Sequence, residues 1–182
     1  MTAASADKGA SADKERARKD KSESRRSASN AKGRARSSAR LAAVQALYQI
    51  QLSGQSVESA LLEFVEHRFR GAVGDSDYDS PDIDLFRDII RGASARRAEL
   101  EGMISTELAK GWRLERLEKV MQALLLAGAY ELVARPDVPT AVIINEYIDM
   151  AHAFFEDDQA GFAHAVLDKI AGKARPGAVS SA

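Results

Sequence analysis

Cysteine is absent from this chain of 182 residues, and long apolar runs are absent as well. Without cysteine there is no disulfide framework, no thiolate zinc site and no cysteine nucleophile. No apolar run approaches the roughly 18 residues that a membrane span requires. The N-terminal segment also lacks the apolar stretch of a secretory signal. We therefore expect a cytoplasmic protein with no membrane partner.

Large apolar residues are missing from the first 36 residues, which contain no Leu, Ile, Val, Phe, Tyr or Trp. Such a segment has nothing to bury and cannot offset the entropy of ordering. Charge divides the chain at nearly the same place. Residues 1–40 carry a net charge of +7 and residues 41–182 carry −8, which the overall value of −1 conceals. We expect residues 1–36 to be a disordered basic arm on an acidic body.

The rest of the chain has helical periodicity, and no segment shows sustained period-two alternation. Val57, Leu61 and Val65, for example, recur every four residues, as on one face of a helix. Six or seven such segments with short connections predict an all-α bundle. We place the folded domain at residues 37–173 and a loose C-terminal tail at residues 174–182.

Capping residues, proline and glycine predict where the helices begin and end. Ser38 is a candidate N-cap for the first helix, and Gly54 is a candidate stop. Ser80 followed by Pro81 predicts the start of a helix that continues to about residue 108. Pro136 ends a later helix, because the residue before a proline is pushed out of helical geometry.

The sequence contains no constellation of residues typical of a catalytic site. Its three histidines lie in no metal-ligand spacing. Residues 71–80, rich in Gly and Asp, predict a loop, and its acids Asp75, Asp77 and Asp79 resemble the start of a calcium-binding loop. The glycine and glutamate that such a loop needs are missing from it. Because we find no nucleophile–base pair, metal site or cofactor fingerprint, we expect no enzyme and no cofactor.

Binding is the remaining class of function, and nucleic acid is the ligand that the charge favours. A basic arm that leads into an amphipathic helix is typical of proteins that bind a phosphate backbone. The alternative is that the basic arm is a solvated tail that keeps the protein soluble and binds no nucleic acid. Reading single-stranded RNA also needs aromatic faces and polar groups for base edges. Tyr48, one turn after Gln45, and Phe162, beside Asp158, are candidates. Taken alone, each ring fits a place in the core better than a place against RNA.

Three blocks of sequence carry a resemblance to a known family. The first is Arg40–Tyr48, RLAAVQALY. The second lies within residues 129–146 and contains AYEL and VPTAVIINE. The third is Phe162–Lys169, FAHAVLDK. Together these blocks resemble the NusB family of transcription antitermination factors. The specific part is the combination V-P-x-x-V-x-I-N-E followed by F-x-x-x-V-L-D-K.

The resemblance implies two packed helical subdomains and a role in binding rather than catalysis. It implies that the chain binds single-stranded boxA RNA of ribosomal RNA leader transcripts. The partners would be NusE, a small-subunit ribosomal protein, and a transcription elongation complex. Positions that match the family put RNA contacts on the first and last helices: Arg34, Arg36, Arg40, Gln45, Tyr48, Asp158 and Phe162.

Other functions stay open on the residues alone. A non-specific RNA-binding or ribosome-assembly module would depend on the arm and would be insensitive to Tyr48→Ala. A helical domain of the kind fused to rRNA methyltransferases is a second alternative, although nothing in this chain could bind S-adenosylmethionine. A purely structural dimerisation bundle is the third, and it predicts self-association without RNA.

Overall fold

The computed structural model describes the backbone of residues 6–69 and 80–177, and the side chains of residues 23–69 and 80–177. Within these ranges it contains seven α-helices and no strand, which confirms the all-α prediction. The helices are α1 (Ala6–Ser53), α2 (Val57–Glu63), α3 (Ile83–Ala95), α4 (Arg97–Glu107), α5 (Lys119–Ala134), α6 (Thr140–Phe154) and α7 (Asp157–Ala174). A π-helical turn, Phe64–Phe69, continues α2, and a 3-10 turn, Leu114–Arg116, precedes α5.

Two groups of helices share one hydrophobic core. Helices α1, α2 and α3 contact one another, and α4, α6 and α7 pack around α5, which also contacts α1 and α3. Every residue of α5 from Met121 to Leu132 is buried, as expected for a helix that is apolar on all sides. The arrangement confirms the two packed subdomains, with α5 between them. None of the described helices is both long and apolar enough to cross a membrane.

The basic segment forms a helix in the structure where the sequence predicts disorder. Helix α1 begins at Ala6, so Ser38 lies inside the helix and is not its N-cap. Ala, Arg and Lys are abundant in this segment and are good helix formers. The segment also continues without a break from the part of α1 that is anchored in the core, which removes the cost of nucleation. The side chains from Glu23 to Asn30 are all exposed, so tertiary packing does not support them.

Two predicted boundaries, at Gly54 and before Pro136, are confirmed. Gly54, with φ +69, follows the end of α1, where a left-handed residue favours glycine. The Ser56 hydroxyl accepts a hydrogen bond from the Ser59 amide (3.1 Å) and caps α2. Helix α5 ends at Ala134, two residues before Pro136.

Two other boundaries differ from the prediction. Asp82, not Ser80, is the N-cap of α3, and its carboxylate accepts a hydrogen bond from the Leu85 amide at 3.0 Å. Asp caps a helix as well as Ser does, and the Asp82 amide is also fixed by a 3.0 Å bond to the Ala35 carbonyl on α1. The predicted single helix to residue 108 is divided at Arg96 (φ −102, ψ 17) into α3 and α4.

The C-terminal segment, predicted to be loose, begins with an anchored residue. The Arg175 guanidinium donates hydrogen bonds of 2.6–3.0 Å to the carbonyls of Glu131, Leu132, Arg135 and Val138. It thereby pairs backbone acceptors that the end of α5 and the following turn leave open. Residues 178–182 of the predicted tail, and residues 71–79 of the predicted loop, lie outside the described ranges.

Candidate nucleic-acid interface

Arg40, a predicted RNA contact, is buried and faces the protein interior. Its side chain is only 2% exposed. Its Nε and Nη2 atoms donate to the two carboxylate oxygens of Glu131, at 2.7 and 2.9 Å, and Nη1 lies 3.5 Å from Glu146. Arg40 therefore cannot reach an RNA phosphate, and its predicted role is wrong. It joins α1 to α5 and α6 close to the point where the basic N-terminal part of α1 leaves the core. We call this part, up to residue 36, the basic extension.

Glu131 is itself fully buried and has a second partner. The Tyr147 hydroxyl donates a 2.9 Å hydrogen bond to it. Burial acts to lower the pKa of Arg40, but the hydrogen bond and charge of Glu131 outweigh that effect and raise it. Burial first, and then the charge of Glu131, raise the pKa of Tyr147 well above its ordinary value. Arg40 therefore stays charged and Tyr147 neutral, and both compensate the buried carboxylate.

Arg34 and Arg36 lie on the part of α1 that solvent reaches. Arg34 is exposed. The Arg36 side chain is 40% exposed, and its Nε is 3.8 Å from the Asp82 carboxylate. A surface ion pair of this length contributes little. Both side chains therefore remain candidates for phosphate contact, together with exposed Lys32 one turn away.

A surface groove of about 530 Å³ lies between α1 and α6. Gln45, the predicted polar contact, is exposed on its α1 side. The other lining residues are Ser37, Ser38 and Leu41 from α1, and Glu146, Asp149, Met150, Ala153 and Phe154 from α6. Its carboxylates repel phosphates but can accept hydrogen bonds from the amino groups of bases. The groove therefore suits bases better than a sugar–phosphate backbone.

Phe154 is an exposed aromatic ring that the sequence analysis missed. Its side chain is 46% exposed at the end of α6 and lines the groove that Gln45 also lines. The adjacent Phe155 packs against the core, and the two rings meet edge to face at 6.4 Å. The signal in the sequence was the pair of adjacent phenylalanines, of which Phe154 ends α6 and Phe155 follows it.

Tyr48 is half-buried against the hydrophobic core, three residues beyond Gln45 on α1. Its ring is neither sealed in the interior nor free in solvent. Among the side chains that the structure describes, it makes no ring contact with Phe162. The two predicted aromatic contacts therefore do not stack on each other, although both pack against the same hydrophobic core.

Asp158 and Phe162 lie on the first half of α7 and differ in exposure. Asp158 is exposed in the first turn. Phe162 is half-buried, and its ring stacks on that of Trp112 with 5.2 Å between centroids and 25° between planes. Trp112 is 57% exposed and covers Phe162 on the solvent side. The sequence signal for it was a lone tryptophan between the charged residues Lys110 and Arg113.

Comparison with known proteins decides the family. Residues 37–172 match the model of the NusB family, so the match begins after the basic extension. The chain belongs to the NusB family. It is 48% identical over 139 residues to transcription antitermination protein NusB of Novosphingobium aromaticivorans, covering 76% of this chain and 94% of that protein. The NusB family comprises transcription antitermination factors and is not enzymatic, which confirms the expectation of a non-enzyme.

Solved NusB structures have the same fold. NusB of T. maritima superposes with a TM-score of 0.63 at 28% identity, covering 77% of this chain and 92% of that chain. A chain from the crystal structure of antitermination factors NusB and NusE in complex with double-stranded RNA has a TM-score of 0.61 at 21% identity. It covers 77% of this chain and 98% of that one. Across the described residues of the present chain, no group of three His, Asp or Glu side chains is placed to hold a metal ion.

Proposed function

We propose that this antitermination factor binds single-stranded boxA RNA of ribosomal RNA leader transcripts together with NusE, within a transcription elongation complex in the cytoplasm. Its RNA site would be the groove between α1 and α6, with the basic extension of α1 as its electrostatic approach. The assignment rests on membership of the NusB family and on the chemistry of this surface.

The observation that carries the proposal is the continuity between the extension and the groove. Arg34 and Arg36 are followed on the same helix by Ser37, which lines the groove, and by Gln45, which lines it further along. Phe154 supplies an exposed ring on the opposite wall. Proteins that bind single-stranded nucleic acid use cations to contact the backbone and aromatic side chains to stack on the bases. The extension and the groove supply these two kinds of group next to each other.

The acidic body limits where RNA can lie. Residues 41–182 carry a net charge of −8, against +7 for residues 1–40. Phosphates are attracted along the extension and repelled from most of the remaining surface. The same acidic surface offers complementary charge to a basic ribosomal protein such as NusE, which favours recruitment of the two partners together.

Removal of residues 1–31 is expected to weaken binding of boxA RNA by about tenfold at physiological salt, because counterion release from phosphates supplies this part of the affinity. The slope of affinity against salt concentration should fall at the same time. The affinity for a scrambled RNA should fall by the same factor, since phosphate contacts carry little sequence information. Fluorescence anisotropy of dye-labelled RNA at two salt concentrations, with and without NusE, measures these quantities.

The comparison of boxA with scrambled RNA decides between specific and non-specific binding. Preference for boxA in the full chain, increased by NusE, supports the proposed function. Equal affinity for the two RNAs, unchanged by NusE, contradicts it and favours the non-specific RNA-binding or ribosome-assembly module. In that case the protein would bind RNA only through the charge of the extension, and its affinity would depend on salt but not on RNA sequence.

Phe154→Ala is expected to weaken boxA binding by about tenfold, near the lower end of the 1–3 kcal/mol that one base–aromatic stack supplies. The loss should reduce the preference for boxA over scrambled RNA, unlike removal of the extension. Leu62→Ala is the matched control, because Leu62 is a large exposed side chain on α2, 59% exposed. Equal effects of the two substitutions in the anisotropy assay would remove Phe154 from the site.

A further inference from the structure

Trp112 is the only tryptophan of the chain and lies on its surface, in the turn between α4 and the 3-10 turn before α5. The turn is formed by Gly111, whose φ of +92 favours glycine, and by a 2.9 Å hydrogen bond from the Trp112 amide to the Ala109 carbonyl. These features hold the backbone so that the indole is directed onto α7.

The stack on Phe162 fixes the indole ring. One ring face of Trp112 is covered by Phe162, which in turn packs against the core, while 57% of the tryptophan surface remains in solvent. A base cannot stack on the Phe162 face that Trp112 already covers. The accessible aromatic surface at this position is therefore the outer face of Trp112, and it is held in place before any ligand arrives, which lowers the entropic cost of binding.

The charges around Trp112 favour a polyanion. Lys110, Arg113 and Arg116 are all exposed, and none of them forms an ion pair with a described residue. Glu115 is the one acid between residues 110 and 116. Within residues 110–116 the basic side chains outnumber the acidic ones by three to one. An indole with unpaired cations beside it is suited to a base and its flanking phosphates.

The stack of Trp112 on Phe162 joins this turn to the first half of α7. Gln159 Nε2 donates a 3.1 Å hydrogen bond to Glu118, which connects α7 to the start of α5. Asp158 is exposed one residue earlier, and Phe162 lies one helical turn beyond it. RNA that follows the predicted contacts on α7 would therefore meet Trp112 before it could meet Phe162.

We infer that Trp112, and not Phe162, is the ring on which a base of the bound RNA stacks at this position, with Lys110, Arg113 and Arg116 contacting the adjacent phosphates. This inference rests on the proposed function. It extends the RNA-binding surface beyond the groove between α1 and α6.

The single tryptophan gives a direct test in the full-length protein. Titration with dye-labelled boxA RNA is followed by the anisotropy of the dye and, in parallel with unlabelled RNA, by Trp112 emission. We expect the emission to be quenched with the same saturation as the anisotropy. Trp112→Leu should weaken binding about fivefold, whereas Trp112→Phe should retain most of the affinity and Leu62→Ala should leave it unchanged.

A charge variant covers the case in which Trp112→Leu unfolds. The triple change Lys110→Gln, Arg113→Gln and Arg116→Gln leaves the Trp112–Phe162 stack in place. It should weaken binding and reduce its salt dependence, relative to the exposed control Arg87→Gln on α3. Far-UV circular dichroism checks that each variant is folded.

The outcomes separate the inference from the proposed function. If anisotropy reports binding while Trp112 emission stays constant and the Trp112 and charge variants bind as wild type does, the inference is wrong and the proposed function stands. If emission responds to NusE and not to RNA, Trp112 faces the protein partner and the inference is equally wrong. If anisotropy shows no binding of boxA RNA at all, the proposed function fails and the inference fails with it.

Discussion

Arg40→Ala is expected to lower the free energy of unfolding by about 3–5 kcal/mol, because it leaves the carboxylate of Glu131 buried without its cation. Both side chains are almost completely enclosed, at 2% and 0% exposure, and they share two hydrogen bonds. Tyr147 can still donate to Glu131, but a single neutral hydrogen bond does not replace a charge. Urea unfolding at 25 °C, followed by circular dichroism, measures the loss.

Two comparisons make this prediction specific. Arg97→Ala breaks a 3.3 Å ion pair with Glu101 on the surface of α4 and should cause a much smaller loss. Combining Arg40→Met with Glu131→Gln should recover at least about 1 kcal/mol of the loss caused by Arg40→Met alone, because the uncompensated charge is then removed. A loss for Arg40→Ala no greater than that for Arg97→Ala would show that the buried pair does not hold α1 in place.

The same double variant separates the structural role of Arg40 from a role in RNA binding. Since Arg40 is directed into the core, the combined Arg40→Met and Glu131→Gln variant should bind boxA RNA as wild type does wherever it is folded. A selective loss of RNA binding in a stable double variant would restore Arg40 to the RNA site. The basic extension, which ends one turn before Arg40, would then need a different anchor in the core.

The boundaries of the helices were predictable where the signal is local. Gly54 and Pro136 act through their own backbone geometry, and both end helices as expected. The break at Arg96 could not be predicted, because no glycine or proline marks it there. The helix in the basic extension was not predicted for a different reason. The lack of large apolar residues there predicts that the segment does not pack against a core. Helix formation also depends on local propensity and on continuity with an anchored helix, and both favour a helix here.

The face of α1 that is buried also differs from a reading based on large apolar residues. Leu52, a large apolar residue near the end of α1, is 58% exposed, while Arg40, Ala43 and Leu47 are buried. Alanine allows helices to approach closely, so the contact face of α1 is marked by small residues as much as by large ones. The burial of Arg40 was still not predictable, because its partner Glu131 is 91 residues away in sequence.

The candidate site also depends on contacts between residues that are distant in sequence. Gln45 was identified from its position on α1, and the structure gives it an opposite wall that no local pattern contains. Phe154 and Trp112 were missed because their exposure depends on which neighbouring ring takes the place in the core: Phe155 in one case and Phe162 in the other. Which ring of a neighbouring pair is exposed therefore depends on tertiary packing that the local sequence does not contain.

Close contact between α3 and α5 depends on the absence of a side chain at Gly92. A Cβ atom at this position would lie 2.0 Å from Cζ and 2.2 Å from the hydroxyl oxygen of Tyr130, which is far inside van der Waals contact. Tyr130 is 7% exposed and donates a 3.0 Å hydrogen bond to Asp88, which Arg135 also contacts at 3.0 Å. The ring therefore cannot move aside without breaking this network.

Gly92→Ala is accordingly expected to lower the free energy of unfolding by about 2–3 kcal/mol, as overpacking of a well-filled core does. Gly102→Ala is the matched control. Gly102 lies inside α4, and a methyl group added there would meet no atom within 4 Å, so alanine should raise stability by about 0.5–1 kcal/mol. Urea unfolding of the two variants should give effects of opposite sign.

A double-mutant cycle tests whether the Tyr130 ring is the cause of the loss. Adding Tyr130→Val to Gly92→Ala should cost less than Tyr130→Val costs alone in wild type, because removal of the ring also removes the clash. Additive losses would mean that the two helices separate instead of the ring moving, since the loss at Gly92 would then be independent of the side chain at position 130.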